Sequence, residues 1–178
     1  MIIAEESNVT YNSYYEGVSD KNKLKVFIEK AREERTRLQN IQLKTEYYSI
    51  DKIDETIMFL KAIQNKDKDN ILTNRPSLEM EKWMNIALNI LNDAILIKPN
   101  TLVGDDNEPI HTAPGGVADI ECYYESFNAI CEVTTLTSRD QWINEGQPVM
   151  RHLRNFEDES NKNNNFCLFV APRLHQDT

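Results

Sequence analysis

Two strand-like runs joined by a two-residue turn constrain the fold of this chain more than any other feature. They lie within Pro114–His152, which reads PGGVADIECYYESFNAICEVTTLTSRDQWINEGQPVMRH. Val117–Tyr124 and Phe127–Thr135 have the apolar and aromatic character of neighbouring strands. A turn at Glu125-Ser126 would pair residues whose numbers sum to 251, because loop length fixes hairpin register.

Carboxylates interrupt both runs. The register places Asp119 opposite Glu132, and Glu121 opposite Ile130. Opposed residues share a face with Cβ atoms about 5 Å apart, so two like charges there are destabilising unless something compensates them. A hard divalent cation removes that repulsion, and the pair therefore predicts a metal site. The alternative is an edge strand whose polar face is solvated.

A third carboxylate and a histidine follow on a predicted helix over Arg139–Glu157. Glu145 and His152 are seven residues, or two helical turns, apart and are expected to share a face. Pro148 leaves a second possibility, in which the helix begins near Gly146 and Glu145 lies just outside it. Basic groups suited to a phosphate lie on the same element, at Arg139, Arg151 and Arg154.

Length and composition indicate a single domain over residues 1–178, in which a helical N-terminal half (residues 1–93) precedes an α/β core (residues 94–178). A chain of 178 residues that is 40% hydrophobic has enough apolar residues for a normal core. The N-terminus lacks the pattern of a secretory signal, and no apolar run approaches the roughly 20 residues needed to cross a bilayer, so we expect a cytoplasmic protein. Three irregularly spaced cysteines are expected to be reduced core residues.

The net charge of −9, from 20 basic and 29 acidic residues, bears on nucleic-acid binding. A protein that binds DNA on its own usually carries positive charge to offset the phosphates. If such a negative chain acts on DNA, most of its affinity is expected to come from somewhere else, such as a second subunit.

Periodicity outside the hairpin predicts helices first and strands later. Apolar residues at three- and four-residue steps indicate helices, whereas a short unbroken apolar run indicates a strand that is covered on both faces. The predicted elements are helices over 19–42, 51–64 (with Ser49 as its cap) and 76–93, a strand over 94–98, a loop over 100–116 and a buried strand over 166–171.

The hairpin resembles the PD-(D/E)XK nuclease signature, in which an acid is followed by acid-x-lysine across two strands. The acids are Asp119 and Glu132, the x position is Val133, and Thr134 stands in place of the lysine. The wider segments PGGVADIECYY, CEVT, NEGQPVMRHL and FVAPRLHQDT resemble the catalytic domain of type IIS restriction endonucleases and their nicking relatives, from roughly Ser77 to the C-terminus. This resemblance implies an α/β fold with a central mixed β-sheet flanked by helices.

The resemblance also implies a set of site residues. Mg²⁺ would be bound by Asp119, Glu132 and the carbonyl of Val133. The task of the missing lysine would pass to His152 or to a metal-bound water. The upstream glutamate of the family best matches Glu81, although Glu79 is close by. The implied catalytic residues are Glu81, Asp119, Glu132, Glu145 and His152.

The implied function is that of a small subunit in a heterodimeric type IIS restriction endonuclease. In that system a large subunit reads an asymmetric, GAGTC-like site in double-stranded DNA and nicks one strand. The small subunit hydrolyses the other strand, leaving a 5′-phosphate and a 3′-hydroxyl. Two alternatives stay open: an autonomous Mg²⁺-dependent homodimeric nuclease, and a non-catalytic regulatory subunit.

Overall fold

The structure is a computed structural model that describes residues 21–47, 50–67, 69, 75–104 and 108–176. Its internal contacts divide the chain into two compact units, Met1–Gln42 and Leu43–Thr178. Helix α1, Lys21–Tyr47, supplies the described residues of the first unit and continues past its boundary. Within the described ranges no helix has both the length and the apolar character needed to cross a bilayer. The single domain stays a prediction.

The second unit combines helices with a mixed sheet, as the sequence predicts. The sheet has the order β1-β4-β5-β6, with β1, β4 and β5 antiparallel and β5 parallel to β6. Helix α4 connects β5 to β6, because parallel neighbours need a crossover. The elements are α2 (Ile50–Gln64), α3 (Pro76–Leu91), β1 (Leu96–Pro99), β2 (Leu102–Val103), β3 (Pro109–His111), β4 (Ile120–Tyr123), β5 (Asn128–Val133), α4 (Asp140–Glu159) and β6 (Asn165–Val170). The predicted cap Ser49 lies outside the described residues.

The hairpin of β4 and β5 has the predicted register. Ile120 lies opposite Cys131, and Tyr123 lies opposite Asn128, so each pair sums to 251. The Tyr124 amide donates to the Phe127 carbonyl at 3.1 Å and closes the two-residue turn. The strand begins one residue after Asp119, not at Val117 as the sequence suggested.

Helix α3 covers one face of the sheet with an apolar core. Ile120 and Cys131 are almost fully buried in a cluster with Leu88. On its other side α3 packs on α2, where the rings of Phe59 and Trp83 stack with centroids 4.2 Å apart. Phe59 therefore lies on the core side of α2, whereas Ile57, two residues earlier, is 45% exposed.

Helix α4 covers the opposite face, since successive strand residues alternate between faces. Tyr123, next to the buried Cys122, contacts the ring of Phe156 on α4 at 5.8 Å. The helix runs unbroken through Pro148. The alternative start near Gly146 is therefore wrong, and Glu145 lies inside the helix.

Two other expectations are corrected. The segment predicted as a loop over 100–116 contains the two-stranded ribbon of β2 and β3. The last strand, predicted to be covered on both faces, is partly exposed, with Phe166 at 56% and Leu168 at 45%. Strand β6 lies at the end of the sheet order, so its apolar residues do not require complete burial.

Two isoleucines near β1 test this account of the core. Ile97 is 5% exposed, whereas Ile95 is 68% exposed. We expect Ile97→Ala to lower the free energy of unfolding by about 2–4 kcal/mol, through lost burial and the cavity it leaves. Ile95→Ala should change it by less than about 0.5 kcal/mol. Urea unfolding monitored by circular dichroism measures both, and equal effects would contradict the packing described.

Candidate active site

Asp119 is held at the start of β4 by a backbone hydrogen bond. The Val133 amide donates to its Oδ2 atom at 2.8 Å. This hydrogen bond extends the contact between β4 and β5 beyond the last strand pair, Ile120 with Cys131. It holds the Asp119 carboxylate next to the end of β5 that carries Glu132. The pKa of Asp119 is raised to about 7: burial has the largest effect, the hydrogen bond from Val133 opposes it, and the charges of Glu81 and Glu145 add to the rise.

Glu132 is the most strongly perturbed carboxylate of the site. It is 5% exposed and projects from β5 towards α4. Burial raises its pKa to about 9, with further contributions from the charges of Asp119, Glu145 and Glu81. The four acidic side chains therefore lie close enough to repel one another.

His152 on α4 contacts Glu132 directly. Its Nδ1 atom lies 2.8 Å from Glu132 Oε1. Burial lowers the pKa of His152, followed by the charge of Arg151, while Glu145 acts in the opposite sense. Burial thus favours the neutral form of both partners. The other ring nitrogen, Nε2, is buried and has no hydrogen-bond partner within the described residues, which leaves it available to a ligand.

Glu145 is connected to the residue that follows β5. The Thr134 hydroxyl donates to Glu145 Oε1 at 2.8 Å. Seven residues further on, His152 contacts Glu132. Both α4 side chains therefore reach the same end of the same strand, as their spacing predicts.

Glu81 reaches the site from α3 and is anchored by a segment distant in sequence. Its Oε2 atom accepts from the Thr101 hydroxyl at 2.8 Å and from the Ala113 amide at 3.1 Å. Burial raises its pKa, and these two hydrogen bonds oppose the rise. Glu79 instead accepts from the Trp83 indole at 3.1 Å, within the helical core. The geometry favours Glu81 over Glu79 as the site residue.

The side chains of this site are of the chemical type that binds a hard cation. Carboxylate oxygens are the ligands that Mg²⁺ prefers, and the pKa values of Asp119 and Glu132 are raised by burial first and then by the neighbouring acidic groups. Yet no group of three or more His, Cys, Asp or Glu side chains among the described residues is arranged to hold a metal ion. The metal ligands, including the carbonyl of Val133, stay predictions.

The sequence analysis missed a polar cluster beside the site. The Glu121 carboxylate accepts from Lys98 Nζ at 3.1 Å, from Asn100 Nδ2 at 2.8 Å and from the Tyr123 hydroxyl at 2.5 Å. Lys98 lies opposite Glu121 in the pairing of β1 with β4. Only that pairing, which the sequence analysis did not predict, would have indicated it. A cavity of about 220 Å³ lies between Glu121 and His152.

The outer side of α4 is apolar, in contrast to its inner side. Trp142, Ile143 and Met150 are 53%, 61% and 61% exposed. Together with Arg151 and Arg154 they line a hollow of about 480 Å³. Two of the arginines predicted to approach a phosphate therefore belong to this outer face.

Residues 1–178 match the AlwI restriction endonuclease family. The chain belongs to that family. Among solved structures it is similar to the small subunit (R.BspD6I2) of the heterodimeric restriction endonuclease R.BspD6I, with a TM-score of 0.54 and 26% identity. That match covers 64% of this chain and 57% of the other, so it spans little more than half of that subunit. No curated protein matches.

The raised pKa values of this AlwI-family chain predict a stability that falls as pH rises. A carboxyl whose folded-state pKa is raised stabilises the fold below its unfolded pKa, and that contribution is lost as pH rises through the folded pKa. For Glu132 the window runs from 4.5 to about 9, and for Asp119 from 3.8 to about 7. In chelator, the free energy of unfolding should therefore decrease between pH 5 and 9.

The variant Glu132→Gln should flatten this decrease. A group that holds one proton in the folded state but none in the unfolded state makes the free energy of unfolding fall by about 1.4 kcal/mol per pH unit, and the variant removes that group. Glu125→Gln, in the exposed turn of the hairpin, is the matched control and should keep the wild-type slope. Urea unfolding at several pH values measures both. The same slope in wild type and Glu132→Gln would contradict the buried, perturbed carboxyl.

Proposed function

We propose that this chain is the DNA-cleaving small subunit of a heterodimeric type IIS restriction endonuclease and hydrolyses one strand of double-stranded DNA with Mg²⁺. One observation carries the proposal: acidic side chains from α3, the start of β4, β5 and α4 surround one buried position, where burial first, and then the neighbouring charges, raise the pKa of Glu132 to about 9. Membership of the AlwI restriction endonuclease family points to DNA cleavage as the reaction of that acidic site.

Mg²⁺ would be held by Asp119, Glu132 and the Val133 carbonyl, with Glu81 and Glu145 extending the acidic site. When bound, the cation supplies charge stabilisation at the phosphoryl group and makes bound water more acidic. The protein supplies fixed carboxylates that must lose their protons before they bind a metal.

In this proposal His152 orients Glu132 and transfers a proton at the same site. Its Nδ1 atom faces the Glu132 carboxyl, while the buried Nε2 has no partner among the described residues. A neutral imidazole with one available nitrogen is suited to accept a proton near neutral pH. With Thr134 in the place of the motif lysine, either His152 or a metal-bound water takes the role of that lysine.

A large partner subunit would supply most of the DNA recognition. The net charge of −9 disfavours strong autonomous binding to phosphates. The similar R.BspD6I2 is described as a small subunit of a heterodimer. We extend that arrangement to this chain, including a GAGTC-like asymmetric site and action in the cytoplasm.

Cleavage of plasmid DNA by the native complex tests the proposal. The tagged chain is isolated from its native host with its bound partner and is compared with the chain alone. We expect the complex to linearise plasmid in Mg²⁺ and the isolated chain to cut poorly or not at all. Glu132→Ala should lower cleavage of the second strand by at least about 100-fold, because it removes a ligand of the charge-stabilising ion, and should leave nicked circles.

Glu125→Ala, in the exposed turn, is the control and should cleave as wild type. Efficient linearisation by the isolated chain would instead indicate an autonomous homodimeric nuclease. Unchanged cleavage by a complex containing Glu132→Ala would indicate a regulatory subunit. Either result would overturn the proposal.

Binding of Mn²⁺, as a substitute for Mg²⁺, tests the metal site without DNA. Because Asp119 and Glu132 have raised pKa values, binding should be tighter at pH 8 than at pH 6 and should release protons. Isothermal titration in buffers of different ionisation enthalpy measures both quantities. Asp119→Asn and Glu132→Gln should each weaken binding by at least about 10-fold, since each removes a charged ligand. Binding that is unaffected by both substitutions would place the metal elsewhere.

A further inference from the structure

We propose that Thr134, in the place of the motif lysine, is a positioning residue that orients the Glu145 carboxylate towards Asp119 and Glu132. This inference rests on the proposed function and concerns the same site. The resemblance to nucleases implied that His152 or a metal-bound water takes the role of the motif lysine, and it gave Thr134 no role. In the structure Thr134 contacts Glu145 directly.

The backbone of Thr134 is fixed by the sheet. Its amide donates to the Val170 carbonyl of β6 at 3.0 Å, which continues the parallel pairing beyond the end of β5. Thr134 is two residues from Glu132 and so faces the same side, towards α4. Its side chain is buried, with the residue 6% exposed. A short, β-branched side chain on a fixed backbone has few alternative orientations.

The hydroxyl is engaged in both of its hydrogen-bonding roles. The Leu136 amide donates to Thr134 Oγ1 at 3.2 Å, and the hydroxyl proton is donated to Glu145 Oε1 at 2.8 Å. A hydroxyl carries only one proton, so this network directs it to Glu145. The second oxygen of the carboxylate accepts no hydrogen bond from the part of the chain that the structure describes, so it can serve the site.

Threonine and lysine would act differently on Glu145. A lysine ammonium would orient the carboxylate but would also offset its negative charge. A neutral hydroxyl orients it without neutralising it. A carboxylate that is oriented without a positive partner attracts a cation more strongly than one paired with an ammonium group.

A purely structural role for Thr134 makes a different prediction. The hydrogen bond from Leu136 shapes the turn after β5, and its loss would act on the fold independently of Glu145. The two roles are separated by a double-mutant cycle that combines Thr134→Val with Glu145→Ala. Valine has a similar shape without the hydroxyl, and serine keeps the hydroxyl.

The cycle is measured on two properties: Mn²⁺ affinity of the chain by isothermal titration, and second-strand cleavage by the complex from the native host. We expect Thr134→Val to weaken Mn²⁺ binding several-fold and to lower kcat at least about 10-fold, with Thr134→Ser recovering most of both losses. In the Glu145→Ala background, Thr134→Val should have no further effect. Circular dichroism checks folding, and Thr134→Ala replaces any unfolded valine variant.

Additive effects of the two substitutions would show that Thr134 does not act through Glu145. Wild-type metal affinity and kcat in Thr134→Val would likewise overturn the inference, and so would failure of serine to recover either property. If the wild-type complex does not cut the second strand, the proposed function fails. The cycle on Mn²⁺ affinity then still decides whether Thr134 orients Glu145.

Discussion

Burial of carboxyl groups at one end of the hairpin is the constraint on which the rest of this structure depends. Isolated carboxylates are costly to remove from water, and among the residues that the structure describes each of the two most perturbed carboxyls has one hydrogen-bond partner. Val133 donates to Asp119, and His152 contacts Glu132. The buried carboxyls lower the stability of the fold, and the surrounding apolar core must compensate for this, as is common around functional sites.

Local sequence determined the features of the hairpin that could be predicted. A two-residue turn leaves one register, so the pairing of Ile120 with Cys131 followed from the positions of Glu125 and Ser126. The shared face of Glu145 and His152 followed from helical geometry alone. Proline statistics left the helix start ambiguous, because Pro148 is common in first turns yet is tolerated here inside the helix.

Non-local contacts determined what the sequence could not show. Glu81 is anchored by Thr101 and Ala113, whose segment read as a loop because its strands are only two and three residues long. The interaction of Lys98 with Glu121 depends on which strands become neighbours. Strand β6 was predicted to be covered on both faces because its composition is apolar. Composition does not reveal that β6 is the last strand in the order of the sheet.

Helix α4 has two faces with opposite character, and both belong to one rigid element. Its inner face carries Glu145 and His152, while its outer face exposes Trp142, Ile143 and Met150. A molecule that bound to the outer face and stabilised one orientation of the helix would move Glu145 and His152 together. Thermodynamic linkage makes such an influence reciprocal: whatever orders the carboxylates from within would equally change the affinity of the outer surface for its ligand.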